Sequence, residues 1–263
     1  MDLLPPRPEP VFVVSGDRLK LASYDHGGDP DAPVVLAVHG FASNAYSNWV
    51  VTGWVRELQR AGYRVISFDQ RGHGSSDKPH DPRSYSMPLL VADALSVIDT
   101  YLLDEVIWVG YSLGARVGWH AALELPHLVS AGVLGGIPDG DPLTRFDVAQ
   151  AKDNIENGAE VTDRLTAGYL TMASGFKGND LRALVALVEG MRGGPQPDRA
   201  NPPAQPLLFA TGSKDRILDA SRELAEATPR GEFFEIPGRN HFNAPTASAF
   251  RSNALEFLGR LPR

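Results

Sequence analysis

The sequence predicts an α/β fold: a mostly parallel sheet of eight strands, helices on both faces of the sheet, and a small helical insertion. Short, nearly continuous apolar runs recur along the chain, which is typical of strands buried on both faces. Helical patterns lie between successive runs, and strands that alternate with helices form parallel sheets through right-handed crossovers. One long stretch has no strand pattern, which predicts the insertion.

The first two strands are predicted to form a hairpin. Residues 11–16 and 18–27 are rich in β-forming residues and meet at the turn residues Gly16 and Asp17. Alternation of apolar and polar residues in the second of them indicates a half-exposed edge of the sheet. The other six strands are expected at 33–40, 63–69, 106–110, 128–136, 205–212 and 231–238.

Helical periodicity predicts four helices around the sheet. In the first of them, Leu90, Ala94 and Val97 fall on one stripe, and Pro88 is tolerated in the first turn. The four are expected at 86–102, 112–124, 219–227 and 245–259.

Three weaker helical patterns occupy the stretch without strands. They cover about 143–156, 160–174 and 178–191, and a Gly/Pro-rich linker follows them. We therefore expect a core domain made of 1–137 and 204–263, with a helical lid of 138–203 inserted into it.

The composition excludes several classes of function. With 43% hydrophobic and 22% charged residues, the 263-residue chain is typical of globular proteins. A net charge of −7 without a basic block argues against a nucleic-acid partner, and the absence of cysteine excludes disulfides and thiolate chemistry. No apolar run is long enough to span a membrane, and the first residues lack a signal-peptide pattern, so we expect a cytoplasmic protein without membrane contact.

A serine stands between two glycines where a strand is predicted to become a helix. Gly110-Tyr111-Ser112-Leu113-Gly114 fits the pattern G-x-S-x-G. Glycines two residues away allow a sharp, strained turn that raises the serine hydroxyl above the sheet edge, and the helix N-terminus favours negative charge there. We interpret Ser112 as a nucleophile; the alternative is a turn that only caps the helix.

Four more segments follow predicted strands. They are His39-Gly40-Phe41, residues 69–79 ("DQRGHGSSDKP"), residues 212–217 ("GSKDRI") and residues 238–242 ("GRNHF"). Together with the Ser112 turn, and in this order, they resemble the α/β-hydrolase family, in its serine esterase-like subgroup with a short helical lid. The resemblance covers the chain outside the predicted lid.

The resemblance implies a catalytic triad of Ser112, Asp215 and His241 and an oxyanion hole formed by the backbone amides of Phe41 and Leu113. In such a triad the imidazole takes the serine proton and later returns it, and the carboxylate orients and stabilises the imidazole. The two amides stabilise the negative charge on the reacting carbonyl oxygen.

The acid of the triad has two candidates. Asp215 lies in "GSKDRI", which matches the common pattern of the family. Asp139, in "GGIPDG", follows the strand after which some relatives place the acid. We favour Asp215. No group of histidines and carboxylates has the spacing of metal ligands, so neither a metal nor another cofactor is expected.

The implied function is that of a carboxylesterase (EC 3.1.1.-), which cleaves a small-molecule ester with an apolar group through an acyl-enzyme. Serine at position 112 argues against dehalogenase and epoxide hydrolase chemistry, whose relatives carry aspartate there. Hydrolysis of amides, lactones or carbon–carbon bonds, perhydrolysis, and a ligand-sensing signalling role on the same fold stay open, since fold and triad do not fix the substrate. The sequence predicts no oligomeric state.

Apolar side chains that face Ser112 would line the substrate site. The candidates are Trp49, Phe146, Met172, Phe176, Met191 and Phe242.

Overall fold

A computed structural model describes residues 8–137, 140, 143–176 and 178–262 of the chain. Its sheet confirms the predicted number of strands, and each strand falls within a predicted segment or within one residue of it. The strands are β1 (Val11–Val14), β2 (Lys20–Asp25), β3 (Val34–Val38), β4 (Arg64–Phe68), β5 (Val106–Tyr111), β6 (Val129–Gly135), β7 (Leu207–Gly212) and β8 (Gly231–Ile236).

The strands are arranged in the order β1-β2-β4-β3-β5-β6-β7-β8. β1 pairs antiparallel with β2, as the predicted hairpin requires, and β2 pairs antiparallel with β4. All other neighbours are parallel, with Val38 of β3 opposite both Phe68 and Gly110. The loops that follow β3 to β8 therefore meet at one edge of the sheet, which is where an open α/β sheet places its ligands.

Helices cover both faces of the sheet, as predicted. The helices are α1 (Trp54–Arg60), α2 (Met87–Thr100), α3 (Leu113–Glu124), α4 (Val148–Asn157), α5 (Arg164–Ser174), α6 (Leu181–Met191), α7 (Leu218–Ala227) and α8 (Ser248–Gly259).

Two apolar layers hold the helices to the sheet. Successive side chains of a strand point to opposite faces, so Leu36 packs into the layer with α2, α3 and α7, whereas Val35 packs into the layer with α1 and α8. This explains why the strand sequences are continuously apolar rather than alternating.

Helix α1 and the π-helical turn Tyr46–Val50 before it were not predicted. Helix α1 has only seven residues, and Gly53, in the left-handed region, precedes it. The apolar pattern therefore covers too few residues to be recognised as helical. Tertiary packing supplies the stabilisation, because Trp54 is fully buried against Phe250 of α8 with ring centroids 4.8 Å apart.

Helices α4, α5 and α6 lie between β6 and β7, within the stretch that shows no strand pattern. Aspartates cap all three N-termini: Asp147, Asp163 and Asp180 accept hydrogen bonds from the first-turn amides. No helix in the described part of the chain has the length and apolar character needed to cross a membrane.

Candidate active site

Ser112 lies in a strained turn between β5 and α3. Its backbone has φ 51° and ψ −111°, a conformation that few residues other than glycine adopt. The Ser112 amide donates a hydrogen bond to the carbonyl oxygen of Gly135 (2.8 Å), and the Ser112 carbonyl accepts one from the amide of Arg116 (2.9 Å). The turn is therefore fixed to the neighbouring strand β6 and to the first turn of α3.

The two glycines of the Ser112 motif are needed for close backbone approach. A Cβ atom on Gly110 would lie 2.4 Å from the carbonyl oxygen of Gly114. A Cβ atom on Gly114 would lie 2.0 Å from the carbonyl oxygen of Val38 at the end of β3. The motif thus lies between a strand and a helix, as its pattern predicts. A side chain at either glycine would clash with a backbone carbonyl oxygen.

The loops after β7 and β8 are held side by side. The amide of Lys214 donates to the carbonyl of Arg239 (2.8 Å), and the amide of Ser213 donates to the carbonyl of Ile236 (3.0 Å). A Cβ atom on Gly212 would lie 2.2 Å from the carbonyl oxygen of Arg239, so glycine permits this approach.

These two loops bring Asp215 and His241 to Ser112. His241 Nε2 lies 2.9 Å from Ser112 Oγ, and His241 Nδ1 lies 2.7 Å from Asp215 Oδ2. The Asp215 side chain is 4% exposed and that of His241 is 22% exposed. The three side chains therefore form one continuous hydrogen-bond chain that reaches solvent at the imidazole.

The direction of the hydrogen bonds follows from the chemistry of the groups. An ionised carboxylate can only accept, so His241 Nδ1 carries the proton that is donated to Asp215. His241 Nε2 is then the basic nitrogen and accepts from the Ser112 hydroxyl. This arrangement is capable of removing a proton from Ser112.

Phe41 and Leu113 lie on either side of the Ser112 turn. A Cβ atom on Gly40 would lie 3.4 Å from Ser112 Cβ, which places the loop after β3 directly against the serine. Within the described part of the chain, neither the Phe41 amide nor the Leu113 amide donates a hydrogen bond. Both amides are therefore without an acceptor among the described residues, in the loop and the helix start next to Ser112.

Two buried histidines hold the Phe41 loop. His73 Nε2 accepts a hydrogen bond from the amide of Ala42 (3.0 Å), and His39 Nε2 accepts one from the amide of Gln70 (3.0 Å). Burial lowers the pKa of His39 to about 4, and burial together with the neighbouring His39 lowers the pKa of His73 to about 3. Both rings are neutral at pH 7, as their acceptor roles require.

The candidate acid Asp139 lies outside the described residues. Within residues 8–137, 140, 143–176 and 178–262, no three His, Asp or Glu side chains come together as possible metal ligands.

The six predicted substrate-site residues lie in different places. Phe146 and Met172 pack near Phe41, and the largely exposed Phe242 contacts the His241 ring edge-on at 6.0 Å. Phe176 is half-buried after α5 and makes none of these contacts.

Two of the six are buried core residues. Trp49 is 1% exposed and packs edge-on against Trp54 at 5.7 Å, in the layer beneath α1 and α8. Met191 is buried in the opposite layer. Their large apolar side chains made them candidates, but the register of the π-helical turn and of α6 directs them into the core.

Tyr169 of α5 was missed by sequence reasoning. Its ring contacts Phe41, Phe146 and Phe242 with centroid distances of 6.0, 6.3 and 5.9 Å. Burial and the nearby charge of Asp215 raise its hydroxyl pKa. A signal was present in the sequence, because Tyr169 lies four residues after Leu165 and three before Met172, on one helical face.

A very small apolar cavity lies beside this aromatic cluster, with a volume of about 10 Å³. Phe41, at the loop next to Ser112, forms one wall. The other walls are formed by Phe146, Tyr169, Leu170, Ala173, Leu181, Leu184 and Val185.

The fold and this site define the class of the protein: the chain belongs to the alpha/beta hydrolase fold family. The family model of that description matches residues 33–190. The AB hydrolase superfamily protein YfhM of Bacillus subtilis is 34% identical over 270 residues, which cover 88% of this chain and 92% of the relative.

Other relatives carry more specific names. Epoxide hydrolase A of Mycobacterium tuberculosis is 37% identical over 115 residues, which cover 44% of this chain. The match spans only 34% of that relative's length.

Solved structures show the same fold. The enol-lactonase of Burkholderia xenovorans LB400 superposes with a TM-score of 0.78 at 21% identity, covering 95% of this chain and 100% of the lactonase. A thermophilic esterase from Thermogutta terrifontis has a TM-score of 0.77 at 20% identity, covering 96% and 98%. At such identities the likeness establishes the fold and not the substrate.

Proposed function

We propose that the protein is a serine hydrolase that cleaves carboxylic esters through an acyl-enzyme, with Ser112, His241 and Asp215 as its triad. The observation that carries the proposal is the hydrogen-bond chain of 2.9 and 2.7 Å between residues that lie 129 and 26 positions apart in the sequence. Nucleophile, base and orienting carboxylate stand in the order that nucleophilic catalysis requires.

Acylation begins when His241 Nε2 takes the proton of Ser112 Oγ as that oxygen bonds to the ester carbonyl carbon. The carbonyl π bond opens, and the amides of Phe41 and Leu113 stabilise the negative charge on its oxygen. When the carbonyl re-forms, the ester C–O bond breaks. The imidazolium then gives its proton to the departing oxygen, which leaves as an alcohol.

Deacylation repeats the sequence with water. His241 takes a proton from a water molecule as the water oxygen bonds to the acyl carbon, and the same amides stabilise the second oxyanion. Collapse breaks the bond to Ser112 Oγ, which recovers its proton from His241, and the carboxylic acid is released. Asp215 stabilises the positive imidazolium in both halves of the reaction.

The cavity next to Phe41 supports an ester with an apolar group. Its lining has no charged side chain, and its polar group is the Tyr169 hydroxyl. Phe41 also carries one of the proposed oxyanion amides, so a group attached to the reacting carbonyl would lie beside these apolar residues. The cavity of about 10 Å³ has room for about one water molecule, so the inserted helices must move outward to admit an acyl chain. Burial of an apolar group there is favourable by about 25 cal/mol per Å² of surface removed from water.

The inserted helices form the other side of this cavity. We therefore propose that 138–203 is a lid over a core made of 1–137 and 204–263. Its attachment near the site includes a hydrogen bond from Asn179 Nδ2 to the carbonyl of Ala42 (2.9 Å), next to Phe41.

Lactones are the second candidate substrates. A lactone is a cyclic ester, so the same triad cleaves it by the same steps, and a structural neighbour is named an enol-lactonase. The alignments with the epoxide hydrolases A and B of Mycobacterium tuberculosis cover less than half of this chain. Ser112 differs from the aspartate nucleophile of that chemistry, so we place esters and lactones ahead of epoxides.

A substrate panel tests the proposal. The purified full chain is assayed with p-nitrophenyl acetate, butyrate and octanoate, δ-valerolactone, an anilide and styrene oxide, beside the variants Ser112→Ala and Ser96→Ala. Ser96 is a serine on the exposed face of α2 and serves as the matched control. We expect turnover of esters or the lactone, a loss of at least about 10³-fold in Ser112→Ala, and no loss in Ser96→Ala.

The other outcomes distinguish the alternatives. Ester turnover that survives in Ser112→Ala would remove Ser112 from the mechanism. Turnover of styrene oxide alone would favour the chemistry of the epoxide hydrolase relatives. Tight binding of the esters without repeated turnover would favour the ligand-sensing role.

A further inference from the structure

Tyr111 is the residue next to the nucleophile, and its side chain contacts the base. It is the last residue of β5, directly before Ser112, and it is 5% exposed. Its hydroxyl donates a hydrogen bond of 2.5 Å to the backbone carbonyl oxygen of His241. Its ring centroid lies 5.5 Å from that of the His241 imidazole.

The space for the Tyr111 ring is made by glycines. A Cβ atom on Gly135 would lie 2.8 Å from the ring, and a Cβ atom on Gly136 would lie 3.0 Å from the ring and the hydroxyl. Gly136 also has a φ of 57°, which favours glycine. The neighbouring strand β6 and its end therefore leave room for an aromatic side chain that extends to the His241 loop.

The loop that carries His241 is held to the loop after β7 at Arg239, whose carbonyl accepts from the Lys214 amide (2.8 Å), and the contact with Tyr111 adds an anchor at His241 itself. Residues 237, 238, 240 and 242 are exposed, and the side chains of Asn240 and Asn243 bond to backbone amides within the loop itself. Among the described residues, the backbone of His241 makes a single hydrogen bond, the one from Tyr111.

The Tyr111 hydroxyl carries its proton at neutral pH. Burial and the nearby charge of Asp215 raise its pKa well above 10. It therefore acts as a permanent donor to the carbonyl oxygen.

We propose that Tyr111 is a positioning residue that holds the imidazole of His241 within hydrogen-bond reach of Ser112. The backbone of Tyr111 fixes the nucleophile through the strand, and its side chain fixes the base through the His241 carbonyl. The inference rests on the proposed triad function, and it goes beyond the triad by assigning a role to the residue before the nucleophile.

The test compares two tyrosine-to-phenylalanine variants of the full chain. Tyr111→Phe keeps the ring in its glycine-lined space and removes the hydroxyl. Tyr85→Phe is the matched control, because Tyr85 is 1% exposed and its hydroxyl also donates to a loop carbonyl, that of Pro79 (2.7 Å). Both variants lose one partly buried hydrogen bond, so a purely structural role predicts similar behaviour.

We expect Tyr111→Phe to lower kcat about tenfold, equivalent to ~1.4 kcal/mol of activation free energy, with KM changed less than about twofold. The reason is that small misplacements of a catalytic group are costly, while substrate binding does not involve the hydroxyl. Tyr85→Phe should leave kcat within about twofold. Equal kcat values in the two variants would overturn the inference.

A second readout does not depend on turnover. The proton on His241 Nδ1 gives a far-downfield NMR resonance when it is held by the Asp215 carboxylate. We expect this resonance to be sharp in the wild type and in Tyr85→Phe and broadened by solvent exchange in Tyr111→Phe. An unchanged resonance in Tyr111→Phe would overturn the inference. A wild type that hydrolyses no ester would defeat the proposed function, and the resonance would still decide the role of Tyr111.

Discussion

The carboxyl edge of the sheet and the inserted helices α4 and α5 are held by different kinds of contact. At the edge, backbones approach so closely that Gly110, Gly114 and Gly212 have no room for a methyl group. In α5, Gly168 has no atom within 4 Å of a would-be Cβ atom, whereas in α6 a Cβ atom on Gly190 would lie 2.0 Å from the carbonyl oxygen of Pro82. Helices α4 and α5 pack through small apolar clusters, and an aspartate caps the N-terminus of each.

We infer that the two regions differ in how tightly their residues are positioned. Residues fixed by backbone contact and buried hydrogen bonds hold their positions closely, as proton transfer between Ser112 and His241 requires. Residues held by apolar contact shift at lower cost, which suits a surface that selects substrates by shape. We therefore expect substitutions at the edge to affect the reaction rate and stability, and substitutions in the helices to affect substrate preference.

The largest expected effect concerns the charge at the edge. Asp215→Asn keeps the size of the side chain and removes the charge that stabilises the imidazolium, so kcat should fall by about 10³- to 10⁴-fold. Asp139→Asn is the matched change at the rival position and should alter kcat less than about threefold. The kcat values of both variants are measured by steady-state ester hydrolysis. A larger loss of kcat in Asp139→Asn than in Asp215→Asn would assign the acid role to Asp139.

A pair of glycine substitutions compares the two regions directly. Gly114→Ala forces a methyl group against the Val38 carbonyl and should lower the free energy of unfolding by about 3 kcal/mol or more. Gly168→Ala adds a methyl group in open space within a helix and should raise it by about 0.5–1 kcal/mol. Urea denaturation measures both, and equal effects would remove the proposed contrast.

Lowering the pH should lower the free energy of unfolding, because of the two buried histidines at the carboxyl edge of the sheet. The pKa values of His39 and His73, about 4 and about 3, lie below the ordinary value of 6.5. Between pH 6.5 and 4 the unfolded chain therefore binds protons that the folded chain does not, and the free energy of unfolding falls as the pH is lowered. Each pKa unit corresponds to about 1.4 kcal/mol per imidazole.

Urea denaturation at pH 7 and pH 4.5 checks this dependence. The wild type should lose several kcal/mol between the two values, and His73→Gln should lose less, because one of the protonating groups is gone. The lowered pKa values of Asp17 and Asp25 act below 3.8 and do not contribute in this range. A stability that does not change between pH 7 and 4.5 would contradict the proposed neutral state of the two rings.

The smallest expected effect lies in the inserted helices. Leu184→Ala enlarges the cavity beside Phe41 and should raise kcat/KM for the octanoate ester relative to the acetate by about fivefold, because a longer chain gains buried surface. Leu90→Ala is the control, since Leu90 is equally buried in α2 away from the cavity. It should lower stability and leave the acyl preference unchanged; the same shift in both variants would exclude the cavity as the acyl site.

Sequence reasoning predicted the sheet and the three residues of the hydrogen-bond chain. The strands are continuous apolar runs with clear ends, and Ser112, Asp215 and His241 each follow such an end, where parallel strands bring loops together. Local pattern and global topology agree at these positions.

The sequence did not reveal contacts that tertiary packing decides. Trp49 is large and apolar, as many pocket residues are, yet the π-helical turn directs it into the core. Tyr169 meets Phe41 only because α5 docks over the sheet edge, and Tyr111 meets His241 only because the β8 loop folds back onto β5. Helical periodicity indicates the face that Tyr169 shares with Leu165 and Met172, but no pattern in the sequence specifies that Phe41 or His241 is the partner across the fold.

The activation of Ser112 by His241 is tested most directly by labelling with a fluorophosphonate, followed by mass spectrometry of the peptides. The account predicts one covalent adduct, on Ser112, that is absent in Ser112→Ala and forms at least about 10²-fold more slowly in His241→Ala. An adduct on another residue, or labelling of Ser112 at the same rate without His241, would contradict it.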